Sequence, residues 1–177
     1  WVVQNVVGII PDDMTKKWLD LSGTLAPDYI AEFERAQRIT QLKEKINLGL
    51  KWGRLYGGAA GLIMIKGQES KLDKPLDIEM VYPGTFNGIY ILDRWSGITP
   101  DMELVTDMSD PDFGLPAYYT ISDSEGHMYT RVHHSRIIRF IGRELPLLEK
   151  IAEMYWGESE VEALYADVVK HDNVAAN

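Results

Sequence analysis

Residues 117–142 read AYYTISDSEGHMYTRVHHSRIIRFIG, and the fold turns on how they are read. Tyr119, Ile121, Met128, Tyr129 and Val132 suit strands, and Ser124, Glu125 and Gly126 suit a turn between them. The pattern predicts a β-hairpin, with RIIRFIG as a further strand directly after it. Working back from the hairpin, DMSDPDFGLP is a loop dense in Asp, Pro and Gly. GIYILDRW and IEMVYPG read as two short strands, separated by Pro83, Gly84 and Gly88. KGQESKLDKP is a polar loop, and GLIMI reads as a buried strand.

Before the strands come helices. Ile30, Phe33, Ala36, Ile39, Leu42, Ile46 and Leu50 recur at steps of three or four. Glu32, Arg35, Gln41, Lys43 and Lys45 lie largely off that stripe, so residues 27–56 predict one amphipathic helix with its stripe in the core. Gly57 and Gly58 end it, in the cluster YGGAAG. That cluster lacks the Lys-Ser/Thr of a phosphate loop and has the wrong order, helix before strand, for a dinucleotide fingerprint. The opening WVVQNVVGII fits a strand or a buried helix, ended by Pro11. PDDMTKKWLDL then reads as a turn into a short helix, capped by Asp12 or Asp13. After the hairpin region, GRELP is a stop. The remainder is helical in character and interrupted at Gly157, with Ser159 and Glu162 as a capping box for a stripe of Val161, Leu164, Tyr165 and Val168. Helix, then strands, then helix gives an α+β class with an antiparallel or mixed β region.

Composition narrows the function. Hydrophobic residues make up 45% and charged residues 25%, which suits a globular protein. The formal net charge is -9, which repels nucleic acid at long range. Cysteine is absent, which excludes disulfides, thiolate catalysis and Cys-based metal sites. No apolar run approaches the roughly 20 residues that cross a bilayer. The first residues lack a basic n-region and a small-residue cleavage site, so they do not read as a signal peptide. The chain opens at Trp1 rather than Met, which reads as a piece of a longer protein.

Several residue sets could carry chemistry. Asp107, Asp110 and Asp112 lack EF-hand spacing and read as a solvated loop. His127, His133 and His134 do not read as a metal set, because neighbours on a strand point to opposite faces. His133-His134-Ser135 matches His-x-Ser, two facing copies of which build the acid–base pair of 2H phosphoesterases. His127 is followed by Met128 and Tyr129, so a second copy is missing. No Gly-x-Ser-x-Gly elbow occurs. The expectation is no catalytic, cofactor or metal residue. Arg131, Arg136, Arg139 and Arg143 stand close together with no acid before Glu144. In so acidic a chain they are expected at a subunit interface, with pairing inside the chain as the competing reading.

IPDDMTKKW, RLYGGAAGLIMI, ILDRW, DPDFGLPAYYTIS, HHSRIIRFIGRELP and YWGESEVEALYADV occur in an order that resembles tailed-phage portal proteins. The nearest group is the portal-like proteins of phages and prophages once known only as a domain of unknown function. The resemblance runs over nearly the whole chain. It implies a structural role rather than an enzyme: a ring, usually a dodecamer, at one capsid vertex, assembled in the host cytoplasm and carried in the virion. Terminase, capsid or scaffold and head-completion proteins are the implied partners, and DNA passes without sequence-specific binding. No membrane is involved. Residues 1–147 resemble the wing, and residues 148–177 the helical segment towards a stem. His134, Ser135 and Arg136 would close the wing's β region, Pro146 would set the bend, and Trp156 and Gly157 would mark the stem entry. Nothing corresponds to a clip, a returning stem helix or a crown. Some related sequences carry an added phosphoesterase that degrades cyclic-nucleotide defence signals. A 2H phosphodiesterase is therefore the alternative function, with a generic protein-binding module as the third.

Overall fold

The computed structural model describes residues 2–19, 21, 26–122, 129–162, 164 and 165. Its architecture is α+β: helices, then antiparallel strands, then a short helix. The first sheet has the order β2-β1-β6, from β1 (Gly58–Ile65), β2 (Phe86–Asp93) and β6 (Ile137–Ile141). The second has the order β3-β4-β5, from β3 (Ile98–Pro100), β4 (Tyr118–Ser122) and β5 (Tyr129–His133). Both are antiparallel throughout. GLIMI, GIYILD and the two arms of the hairpin are therefore strands, as their β-branched and aromatic residues predict. The hairpin turn with Ser124, Glu125, Gly126, His127 and Met128 lies outside the described residues, and so does Val168.

The small residues of β1 explain the layering. Successive side chains on a strand alternate between faces. Ala59 packs with Ile89, Ile91 and Phe140 under the partly buried Leu42, Ile46 and Leu50. Ala60, on the other face, packs with Tyr119, Val132, Ile98, Leu92, Ile137 and Trp156. One face of the first sheet thus meets a helix, and the other meets the second sheet and the C-terminal segment. The covering helix is α3 (Leu42–Tyr56), which comes very close to β6. A Cβ on Gly49 would stand 2.5 Å from Phe140 Cε2, and one on Gly53 would stand 2.9 Å from the Phe140 carbonyl oxygen. Two glycines four apart let the helix backbone rest on that ring.

Five local expectations need correction. Residues 27–56 form two helices, α2 (Pro27–Thr40) and α3, broken at Gln41 in the left-handed region (φ 51°, ψ 39°). The apolar stripe is therefore not one core stripe: α2 buries no residue, and Ile39 is 70% exposed. Pro11 does not end a segment, because α1 runs unbroken from Val2 to Lys16. Proline inside a helix costs about 3 kcal/mol. Packing offsets that cost: Val7, Pro11 and Thr15, each four apart, are buried on α1, which lies against α3. Asp12 caps nothing there; it accepts a hydrogen bond from Asn47 at 2.9 Å and pairs with Lys51 at 2.7 Å on α3. Residues of IEMVYPG form a 3-10 turn at Ile78–Met80 rather than a strand, while β3 was not anticipated.

After β6 the chain makes α4 (Leu147–Ala152) and returns to the core. Pro146 precedes α4 in an extended conformation. Trp156 is 1% exposed and its ring centroid lies 6.1 Å from that of Tyr119. Gly57, with φ +79°, ends α3, and its carbonyl accepts hydrogen bonds from Gly142 N–H at 3.1 Å and Gly157 N–H at 3.0 Å. A Cβ at Gly57 would run into the Gly157 carbonyl. The glycine cluster after α3 is thus a helix end and a crossing point of three chain segments. Ser159 Oγ accepts from the N–H groups of Val161 and Glu162, which caps the helical turn that starts at Glu160.

Candidate functional site: the turn after strand β5

The sequence His133-His134-Ser135-Arg136 sits where β5 ends. His133 is the last residue of the strand, and His134–Arg136 form a 3-10 turn. The strand-parity argument that kept the two histidines apart therefore fails. A 3-10 turn does not alternate side chains, and the two imidazole rings lie 4.3 Å apart between centroids, tilted by 39°. Burial, then the neighbouring His134 and Arg136, lowers the His133 pKa below its usual value, against Asp110, which raises it.

This turn ties down two long loops. Towards the loop after β1, Ser135 Oγ accepts the Leu76 N–H at 2.8 Å, and His133 N–H donates to the Leu72 carbonyl at 2.9 Å. Arg136 is 2% exposed. Its Nε donates to Lys74 O at 2.7 Å, Nη1 to Gln68 Oε1 at 2.9 Å, and Nη2 to Pro75 O at 3.3 Å. Towards the acidic loop, His134 N–H donates to Ala117 O at 2.9 Å. Its Nδ1 meets Asp112 Oδ2 at 2.8 Å, and its Nε2 stands 3.7 Å from Asp110 Oδ2. Asp110, Asp112 and His134 offer ligand atoms within 4.8 Å of one another, a grouping the sequence reading missed. It was missed because the histidine and the loop are separated by more than twenty residues and meet only through the fold.

The His-x-Ser pair turns inward. Ser135 N–H donates to His133 Nδ1 at 3.3 Å, and Ser135 Oγ lies 3.0 Å from the same nitrogen. Together with the Leu76 contact, this engages the hydroxyl with the loop rather than with an open cleft.

The four arginines go to different places. Arg136 is the buried clamp just described. Arg139 donates to the Tyr155 carbonyl, and its guanidinium carbon lies 5.3 Å from the Trp156 ring centroid. Its Nε and the Tyr119 hydroxyl are buried without a hydrogen-bond partner among the described residues. Burial pushes the Tyr119 pKa up to about 12, with Arg139 acting against the shift and Asp112 adding to it. Arg131 is half-exposed and pairs with Asp101 at 3.0 Å and Glu103 at 2.7 Å, over the Tyr118 ring. Arg143 is the most exposed of the four and pairs with Glu158 at 3.6 Å.

The family model described as phage portal protein covers residues 1–177. The chain belongs to the phage portal protein family. Among curated relatives, the portal-family chain is 34% identical over 97% of its length to the anti-CBASS protein Acb1 of a Caulobacter strain, and covers 26% of that protein. It is 28% identical over its whole length to the anti-CBASS protein Acb1 of Sphingomonas paeninsulae, covering 27% of it. It is also 28% identical to an uncharacterized protein of Haemophilus influenzae, covering 38% of it. The portal-family chain thus spans about a quarter of the first two relatives. Their names correct one expectation. The expectation of a purely structural, non-enzymatic chain does not stand beside relatives that bear the name anti-CBASS protein Acb1.

Proposed function

We propose that this chain is the portal-family segment of a longer protein that degrades the cyclic-nucleotide signals of anti-phage defence by 2H-type phosphodiesterase chemistry. The observation that carries the reading is double: one stretch of residues matches a portal family along its whole length and relatives named anti-CBASS protein over 97% or more of it. In a 2H mechanism two histidines face each other across the scissile phosphate, one taking a proton from the attacking hydroxyl and one giving a proton to the leaving oxygen. The His-x-Ser here is engaged with the loop at Leu76, so the facing pair belongs to the rest of the longer protein. The segment described here supplies the body on which that unit is carried.

The test is hydrolysis of cyclic di- and trinucleotides by the full-length protein, followed by chromatography of the products. Turnover is expected, and it should survive His133→Ala in this segment. Absence of turnover on every cyclic nucleotide would sink the enzymatic reading. Turnover abolished by His133→Ala, with folding intact, would move the active site into this segment.

The family match favours a second reading alongside the first. In it the longer protein also assembles into a ring at the capsid vertex, with terminase and head-completion proteins as partners and DNA passing through. The acidic surface suits passage without binding, because DNA affinity grows with the number of basic contacts. Mass photometry of the full-length protein reads this directly: a discrete ring of many subunits is expected, and a monomer at all concentrations would remove it.

A further inference from the structure

We propose that Asp110 and His134, with Asp112 holding the His134 ring, form a binding site for a divalent first-row transition-metal ion, Zn²⁺ foremost. The three residues come from two different parts of the fold, the loop before β4 and the turn after β5. Their ligand atoms converge within 4.8 Å.

The histidine carries the argument. Its side chain is nine-tenths buried, at 10% exposure. Nδ1 is taken by Asp112 Oδ2 at 2.8 Å. Nε2 makes no hydrogen bond among the described residues and stands 3.7 Å from Asp110 Oδ2. That gap is too long for a hydrogen bond. It is close to the separation of two ligands sharing one ion, since atoms about 2.1 Å from a tetrahedral zinc stand roughly 3.4 Å apart. A few tenths of an ångström close the difference.

The surrounding contacts prepare the same arrangement. A carboxylate on Nδ1 fixes the tautomer whose Nε2 lone pair is free, as in carboxylate–histidine–metal relays. Asp110 Oδ1 already accepts the Asp112 N–H at 2.8 Å, which turns Oδ2 towards the histidine. The loop holding both acids is fixed by Gly114 N–H donating to Val105 O at 2.9 Å and Leu115 N–H donating to Asp112 O at 2.9 Å. Imidazole plus carboxylate selects zinc and its neighbours over magnesium or calcium, which prefer all-oxygen shells. His134 Nε2 and Asp110 are the direct ligands, Asp112 orients the ring, and water completes the shell.

Titration calorimetry with Zn²⁺ on the EDTA-treated protein near neutral pH tests this. One Zn²⁺ per chain is expected at the site, lost in Asp110→Asn and weakened about ten- to hundredfold in Asp112→Asn. Equal Zn²⁺ binding by the protein and Asp110→Asn overturns the proposal, since the ion then sits elsewhere. No Zn²⁺ binding by the protein overturns it too. Asp110 is partly exposed, so its conservative replacement leaves the fold, checked by melting in EDTA. Should that variant fail to fold, Co²⁺ titration of the protein is compared with that of Asp112→Asn, whose band should need about ten- to hundredfold more Co²⁺, and equal titrations overturn the site. A visible four-coordinate absorption band at one equivalent is expected, and its absence overturns the site.

Discussion

Arg136 and Arg131 show how differently two arginines of one short stretch behave. Arg136 gives three hydrogen bonds inside the protein, two of them to backbone carbonyls of the loop after β1. Neither carbonyl accepts another backbone hydrogen bond among the described residues. Removing one side of a buried, charge-assisted set leaves the other side unsatisfied, at about 1–3 kcal/mol per group. Arg136→Ala should therefore cost roughly 3 kcal/mol, seen as a lower urea midpoint. Arg131 pairs with Asp101 and Glu103 where water competes. Exposed pairs of this kind are worth about 1 kcal/mol or less, so Arg131→Ala should barely move the midpoint. Equal losses in the two variants would refute this contrast.

At the scale of elements, the contact of α3 with β6 decides the first sheet's cover. Gly53→Ala raises helix propensity by about 1 kcal/mol. Yet its Cβ would stand 2.9 Å from a backbone oxygen of Phe140, which cannot rotate away. Overpacking of this kind costs about 1–3 kcal/mol, so the variant should melt lower than the parent despite the better helix former. A higher melting temperature would show that α3 does not lie this close. The turn from β2 to β3 makes a pH prediction. Burial raises the Asp93 pKa, but hydrogen bonds from Ser96 Oγ and from the Ser96 and Trp95 N–H groups outweigh it and leave it lowered. A lowered folded pKa stabilises above the unfolded value near 3.9 and loses that stability as pH falls through the folded one. The melting difference between the protein and Asp93→Asn should be full at pH 6 and shrink below about pH 4. A difference independent of pH would contradict it. The strands were legible in the sequence because Tyr119, Ile121 and Val132 carry the period of two. The break at Gln41 was not, because glutamine is neither a turn former nor a helix breaker, and its left-handed conformation leaves no mark in the sequence. Pro11 misled for the opposite reason: its local signal is strong, and burial against α3 overrides it. The Asp110–Asp112–His134 grouping left no local signal, since it exists only once the acidic loop folds onto the turn.

At the scale of the whole molecule, the C-terminal segment belongs mechanically to the body. Trp156 stands in the core beside Tyr119, and Arg143 and Glu158 exchange backbone hydrogen bonds at 2.9 Å each way. Force applied to that segment in an assembly would reach β6 directly. This bears on which arginines could serve contacts between copies. Arg136 and Arg139 are engaged with backbone inside the chain, so altering either should cost stability before it touches assembly. Arg143 is different: its side chain is 60% exposed, and its Glu158 partner at 3.6 Å holds it loosely. In a cyclic ring each copy presents one patch to a different patch on its neighbour, and on a chain of net charge -9 an exposed arginine has acid to meet there. Arg143→Gln should leave the melting temperature of the protein within about a degree, because exposed pairs contribute little. The same change in the full-length protein should reduce the ring fraction in mass photometry, and more so at low salt, where the lost attraction is least screened. A ring fraction unchanged at both salt concentrations would remove Arg143 from the interface. A matching loss in melting temperature would place its role inside the chain, with Glu158.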